Sequence, residues 1–324
     1  MKISINTPQA LNRIGNWNGY GYGTERIVAS LRNLGHQVTE NDASADVGLV
    51  FNQPQHAKWF GNQYRIILHP WESTLLMPDW PAMMNEADEV WSPSPLITEW
   101  YGKYNGIVKP RFTYEHGIDS VWELRERKVT DKMKFLHVGG EALRKDMATT
   151  IKAFRTAFGH KDDVELLLKT GIAGFNVNNP ADNVHAQHGP VPFDELLDIY
   201  YNHHVFVYPS WGEGFGFNPF QAMATGMPTI CTGAWAPYRR FIDPKLDVDS
   251  EMADSPSRWQ QSHPGQMFKP DFDDLVDKYR YVYDNYDDCS AFAVAQSPKI
   301  HAEYAWDTVT KSTFDALEKR LESR

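Results

Sequence analysis

The chain has 324 residues, 42% of them hydrophobic and 23% charged, so it has the length and composition of a globular protein with room for two separate cores. A formal charge of -10 and the lack of any dense Lys/Arg run argue against a protein that grips nucleic acid across a broad basic face. Cys231 and Cys289 stand far apart and outside any C-x-x-C pattern, which suggests neither a disulfide framework nor a cysteine zinc site and points to a reducing compartment.

The opening MKISINTP reads as a short alternating strand, not as the apolar core of about 7 to 15 residues that a signal peptide needs. No stretch approaches the roughly 20 apolar residues of a membrane span, so a cytoplasmic protein is expected. In NWNGYGYGTERIVASLRNLGHQV, Gly19, Gly21 and Gly23 precede Ile27, Val28, Leu31 and Leu34 at helical spacing, and Gly35 ends the pattern before a strand at Val38. This is a βαβ opening with Gly21 and Gly23 in a glycine loop. Asp46 to Phe51 and Tyr64 to Leu68 read as buried strands, and the second runs into HPWESTLLMPDW and EADEVWSPS. Parallel strands deliver their C-terminal ends to a ligand crevice, which brings His69 and Glu72 to a position suited to chemistry. The plainer roles are a structural histidine and a turn-capping glutamate. Asp88 to Pro93 and Val108 to His116 complete the half-sheet, and Asp119 reads as a turn or capping residue. Eleven Trp and fifteen Tyr fill cores by default, with some expected along a groove.

The charged run LRERKVTDKMK reads as a solvated linker. Lys134 to Val138 is the next strand, and GGEALRKDMATTIKAFRTAF carries Ile151, Ala153, Phe154, Ala157 and Phe158 on one helix face. Arg144 and Lys145 stand at the start of that helix, where the dipole disfavours cations unless an anion is to be bound. Val164 to Lys169 is a strand and Gly171 to Asp182 a polar loop. His188, His203 and His204 lack the spacing of a metal site. The stretch VFVYPSWGEGFGFNPFQAMATGMP then passes from strand to glycine-rich loop to helix. Gly212, Gly214 and Gly216 let backbone N–H groups approach a ligand, and the following helix N-terminus adds unpaired donors. Glu213 stands inside this loop, where a carboxylate can accept hydrogen bonds from a polyhydroxylated group beside a diphosphate. Asn218, Pro219 and Gln221 also have the pattern of an N-cap, first-turn proline and capping-box residue. In residues 233 to 269, Asp247-Val248-Asp249 forms a DxD triplet that reads as surface.

The central stretch resembles the E-x7-E region of retaining glycosyltransferases of the GT-B fold, the family 4-like or group 1 enzymes, often written PSxxEGFGLxxLEAMAxGxPV. Further segments resemble the same family: GTER within GGAERVV, the WE and DEVWSPS region, Gly139 onward, the GPVPFDELLDIY segment, and Tyr304-Ala-Trp306. The resemblance implies two Rossmann-like, doubly wound α/β domains facing a cleft: 1–125 for the acceptor and 126–300 for the nucleotide sugar, with a helix at 301–324 crossing back. It implies that Glu213 lies by the donor sugar, and that Lys145, with the amides of Gly214, Phe215 and Gly216, holds the diphosphate. The family arginine corresponds to Gly140, so Arg144 is the nearest substitute. The second glutamate of the motif corresponds to Gln221, which is either a ribose contact or a cap. Val191 corresponds to the nucleobase contact, His69 to the reacting face, and Glu72 to the acceptor side.

The expected activity is metal-independent transfer of a hexosyl or pentosyl group from a nucleotide-diphosphate sugar, with retention and no cofactor. The acceptor is a glycan or small molecule. Alternatives are a phage-encoded enzyme acting on a hydroxylated base in DNA, and a non-catalytic nucleotide-sugar-binding protein.

Overall fold

The computed structural model describes residues 1–6, 19–140, 143–171 and 183–324. Two compact units emerge, each built on a parallel sheet. The first comprises Met1–Asp119, Ser255–Gln266 and Glu303–Arg324. Its elements are β1 (Lys2–Ile5), α1 (Gly19–Asn33), β2 (Gln37–Glu40), β3 (Val47–Phe51), β4 (Tyr64–Leu68), α2 (Trp80–Met84), β5 (Glu89–Ser92), α3 (Pro95–Asn105) and β6 (Arg111–Thr113). The strand order is β2-β1-β3-β4-β5-β6, with every pair parallel. All five residues of β3 are buried, as expected for a central parallel strand covered on both faces. One face is packed by Val50, Ile67, Trp71, Trp80, Val90 and Tyr101.

The glycines expected in a loop before α1 lie inside it. A Cβ on Gly23 would come within 2.5 Å of Phe51 Cε1, so this glycine lets α1 settle directly on β3. Asp119, expected at a turn, accepts from Tyr22 Oη and from Arg26 Nε on α1, both at 2.7 Å. At the far side of the sheet, the buried carboxylate of Glu89 accepts from Trp91 Nε1 at 2.7 Å, Tyr64 Oη at 3.1 Å, and Arg320 Nε and Nη2, both at 2.9 Å. Arg320 belongs to a helix over Trp306–Glu322 that packs against α1. A late stretch of chain therefore completes the first unit.

The second unit, Ser120–Asp254 and Met267–Ala302, contains β7 (Met133–Val138), α4 (Met147–Phe158), β8 (Val164–Lys169), β9 (Val184–Gln187), α5 (Phe193–Tyr201), β10 (Val205–Tyr208), α6 (Phe217–Ala224) and β11 (Thr229–Cys231). Its order is β11-β10-β7-β8-β9, all parallel. The apolar face of α4 read from the sequence packs on this sheet through Ile151 and Phe154, with Leu275 and Tyr279 closing the same core.

The reading of LRERKVTDKMK as a solvated linker fails at Arg127. Its guanidinium is buried and donates to the carbonyls of Thr225 at 2.8 Å, Arg125 at 2.9 Å and Tyr200 at 3.3 Å, and to Thr225 Oγ1 at 2.8 Å. The cation satisfies carbonyls at the C-terminal ends of α5 and α6, where the helix dipoles favour positive charge. Burial pushes its pKa down to about 10. Periodicity could not reveal this role, because the run around Arg127 is otherwise exposed. Of the expected polar loop from Gly171 to Asp182, residues 172–182 lie outside the described residues.

Candidate active site

In the second sheet the chain leaves β7 toward β8 on one side and later returns to β10 on the other. The connections after β7 and β10 therefore diverge from the same end of the sheet, leaving a crevice where open α/β sheets bind ligands. Hydrogen bonds sew these two connections together. Trp211 N donates to Arg144 O at 2.8 Å, Trp211 Nε1 to Asp146 Oδ2 at 3.0 Å, and Asn218 Nδ2 to Val138 O at 2.8 Å. Asp146 also caps α4 by accepting from Thr149 N, so the short turn carrying Arg144 and Lys145 is fixed at both ends.

Glu213 sits in this crevice with its side chain only 10% exposed. Its Oε1 accepts from Arg144 Nη1, from Tyr208 Oη at 2.8 Å and from Ser210 Oγ at 3.3 Å. Its Oε2 accepts no hydrogen bond among the described residues. Burial and the neighbouring Glu213 charge raise the Tyr208 hydroxyl well above the ordinary tyrosine range, so it stays a donor. Lys145 Nζ lies 5.9 Å from the centroid of the Tyr208 ring, and the buried imidazole of His137 stacks on the same ring at 5.3 Å. Burial, with Lys145 nearby, pushes His137 down to about 3 and keeps it neutral.

Gly216 enters α6 with φ at +85°, and a Cβ there would meet Tyr238 Oη at 2.5 Å and the Trp235 ring at 2.6 Å. Only glycine meets both demands. This turn starts the helix at Phe217, one residue before the expected N-cap, so the capping box on Asn218 and Gln221 does not form. Asn218 instead spends its side chain on Val138 O. Gln221 is buried, and its side-chain amide makes no hydrogen bond among the described residues.

Sequence reasoning missed the braces behind the loop. Trp235 Nε1 donates to Ser210 O at 2.8 Å, and Tyr238 Oη donates to Gly216 O at 2.6 Å while its ring stacks on Phe220 at 4.5 Å. Asp247, expected as surface, holds this segment by accepting from Gly233 N at 2.9 Å and Arg239 Nε at 2.7 Å. Only Asp249 of the triplet is exposed. The available signal was the pair of large aromatics following a buried strand, in a stretch with no period to mark it.

Val191 is half-buried in the turn after β9. The turn is held by buried Lys169 Nζ, which donates to Gly189 O and to Thr170 O. Desolvation lowers the Lys169 pKa. The three histidines find ordinary partners: His188 Nδ1 pairs with Thr170 Oγ1 at 3.0 Å, His203 Nδ1 with Ile199 O at 2.6 Å, and His204 Nδ1 accepts from Lys134 N at 2.9 Å. Among the described residues, no group of three or more His, Cys, Asp or Glu is arranged to hold a metal ion. Nor is any helix there long and apolar enough to cross a membrane.

In the first unit, His69 directly follows β4 and is fully buried. Its Nδ1 pairs with Asn52 O at 3.2 Å and Tyr20 Oη at 3.4 Å, and its Nε2 has no partner among the described residues. The Trp80 ring stands edge-on at 5.0 Å and Tyr101 stacks at 6.5 Å. Burial pushes His69 down to about 4 despite the opposing pull of Glu72. Glu72 Oε2 pairs with His263 Nε2 at 3.3 Å, and His263 stacks on Trp71 at 5.3 Å. His263 arrives on the 255–266 excursion, anchored where Thr74 N donates to Gln266 O.

Residues 114–244 match the family model of glycosyl transferases group 1. This segment is a group 1 glycosyl transferase domain. It contains Arg144, Lys145, Val191, Glu213 to Gly216 and Gln221. The structure is similar to a sucrose-phosphate synthase from Thermosynechococcus elongatus, with a TM-score of 0.74 and 13% identity over 100% of both chains. It is also similar to the HepE protein of Anabaena in complex with UDP-glucose, with a TM-score of 0.70 and 11% identity over 98% of this chain and 100% of that one. WaaG, a glycosyltransferase involved in lipopolysaccharide biosynthesis, gives 0.63 and 11% over 96% and 98%. The fold of the chain is thus GT-B, with two Rossmann-like domains. No curated protein matches the chain in sequence.

Proposed function

We propose that this group 1 glycosyl transferase moves a sugar from a nucleotide-diphosphate sugar to an acceptor hydroxyl with retention at the anomeric carbon. The observation that carries the reading is Glu213, held at the β7/β10 switch beside Arg144 and ahead of the glycine-led N-terminus of α6. Glu213 accepts from donor sugar hydroxyls through both carboxylate oxygens. Lys145, Arg144 and the amides of Gly214, Phe215 and Gly216 take the diphosphate. Gln221, free of any cap, meets the ribose, and the Val191 turn meets the base.

In the reaction, the bond from the anomeric carbon to the diphosphate oxygen breaks, and the acceptor oxygen bonds to that carbon on the same face. The acceptor proton passes to the leaving phosphate oxygen. Charge grows on the diphosphate as the bond breaks, so fixed cations and amides lower the barrier most where they meet that oxygen. The first unit presents the acceptor, with Glu72 accepting a hydroxyl and neutral His69 oriented by Asn52 and Tyr20 at the reacting face. No observation favours a hydroxylated base in DNA, and that reading is not carried forward.

The test is thermal stabilisation of the full chain by UDP-, GDP- and ADP-sugars, followed by turnover and assignment of the product anomer by NMR. HepE, which has UDP-glucose bound, makes that compound the first probe. A shift with one donor and a retained anomer support the proposal. Inversion overturns retention, and binding without turnover on any acceptor selects the non-catalytic reading.

A further inference from the structure

Glu213 and Arg144 are each needed by a donor substrate, yet they are bonded to each other. Both side chains are nearly buried, at 10% and 11% exposure. The carboxylate therefore carries its charge in a poorly solvated place, stabilised by one cation and two neutral hydroxyls, Tyr208 and Ser210. A diphosphate entering the crevice competes for the same guanidinium, with more charge and a geometry suited to two parallel N–H donors. Once Arg144 turns to the phosphate, Glu213 needs other donors, and sugar hydroxyls supply them. A free sugar arriving first meets only Oε2, because its neutral hydroxyls do not displace the charged donor that holds Oε1.

We infer that Arg144 is a shared cation that keeps Glu213 Oε1 masked until a diphosphate takes it, so that full recognition of the sugar by both carboxylate oxygens is conditional on the diphosphate attached to it. Arg144 and Glu213 together then form a specificity determinant. They favour an intact nucleotide-diphosphate sugar over a free sugar, and over a nucleoside diphosphate that claims Arg144 and leaves Glu213 with neutral donors alone. The inference rests on the nucleotide-sugar reading of this site and deepens it. It differs from simple side-by-side contacts in the sign of one effect. If Glu213 restrains Arg144, neutralising the carboxylate frees the cation, and a nucleoside diphosphate should bind more tightly.

The experiment is calorimetry on the full chain with UDP and UDP-glucose, GDP and GDP-mannose, and ADP and ADP-glucose. Wild type is compared with Glu213→Gln, Arg144→Gln and the double variant. For the pair that binds wild type, Glu213→Gln should tighten the nucleoside diphosphate by about fivefold or more and weaken the nucleotide sugar by about tenfold. In the Arg144→Gln background, Glu213→Gln should lose its tightening effect. Glu213→Ala gives the same sign of change if the glutamine variant does not fold, with folding of each variant checked by circular dichroism. Unchanged or weaker nucleoside diphosphate binding in Glu213→Gln, with nucleotide-sugar binding intact in wild type, overturns the shared cation alone. Failure of every nucleotide sugar to bind wild type overturns the underlying reading and the inference with it.

Discussion

Around Glu213, polarity is handled with charge: a carboxylate, a guanidinium and an ammonium gather at the ends of β7 and β10, with Tyr208 and Ser210 also donating to the carboxylate's Oε1. Around His69, at the end of β4, polarity is handled by neutrality. An imidazole is enclosed by Trp80, Tyr101 and Trp71 and kept uncharged by burial. The same kind of sheet thus ends in an electrostatic site in one unit and in a neutral aromatic one in the other. Under the proposed function, the charged site is the one that takes the diphosphate, and the neutral hydrogen-bonding ring stands beside uncharged hydroxyls.

The largest expected effect breaks the charged side of this contrast. Lys145→Ala should lower kcat/KM by about 100-fold or more and abolish stabilisation by the donor, measured by turnover and thermal shift, with the apo melting temperature little changed. Gly216→Ala acts on the frame around the charges. With φ at +85° and Tyr238 and Trp235 in the way, it should cost about 3 kcal/mol or more in denaturant unfolding. Arg127→Met tests whether a charge far from ligand chemistry is equally needed. It strands the carbonyls of Thr225 and Tyr200 and should cost about 2–4 kcal/mol in the same assay.

The neutral side is tested by acid. Burial lowers His69 to about 4 and His116 to about 3 in the first unit, and His137 to about 3 and His203 to about 4 in the second. Between their ordinary value near 6.5 and these folded values, the unfolded chain binds protons that the folded chain does not. Stability therefore falls as pH falls through that window, by about 1.4 kcal/mol per pH unit for each such histidine. Melting curves from pH 7 to 4 should show the loss, and His69→Gln should reduce the slope by one histidine's share. The smallest effect sharpens the picture of the loop. Tyr238→Phe removes one bond to Gly216 O and should cost about 1 kcal/mol, with a modest rise in donor KM.

Much of this was legible in the sequence where a period or a compact motif carried it. The strands Tyr64–Leu68, Val164–Lys169 and Val205–Tyr208 have the bounds that their apolar runs indicate. Glu213 could be singled out because glycines flank it. What failed to show were roles set by contacts distant in sequence: Arg127 hidden in an exposed run, Asp247 in a triplet that reads as surface, and Trp235 and Tyr238 behind the glycine loop. The start of α6 was misread because Asn-Pro has the pattern of a cap, while the left-handed Gly216 had already turned the chain. Gly21 and Gly23 were misread as loop although both lie in α1, and at Gly23 the helix accepts glycine because Phe51 of β3 comes close.

The Glu89 carboxylate has a consequence for how the protein is made. It is buried at the start of β5, and its two-pronged partner is Arg320, separated from it by the whole second unit in the order of synthesis. As the chain leaves the ribosome, residues 1–119 cannot complete their own unit, because the helix that neutralises Glu89 and packs on α1 has yet to be translated. The second unit has nearly all of its parts sooner. The later-encoded unit can therefore gather its parts before the earlier one does, and the first sheet lacks the helix that pairs with Glu89 until Trp306–Glu322 has been made.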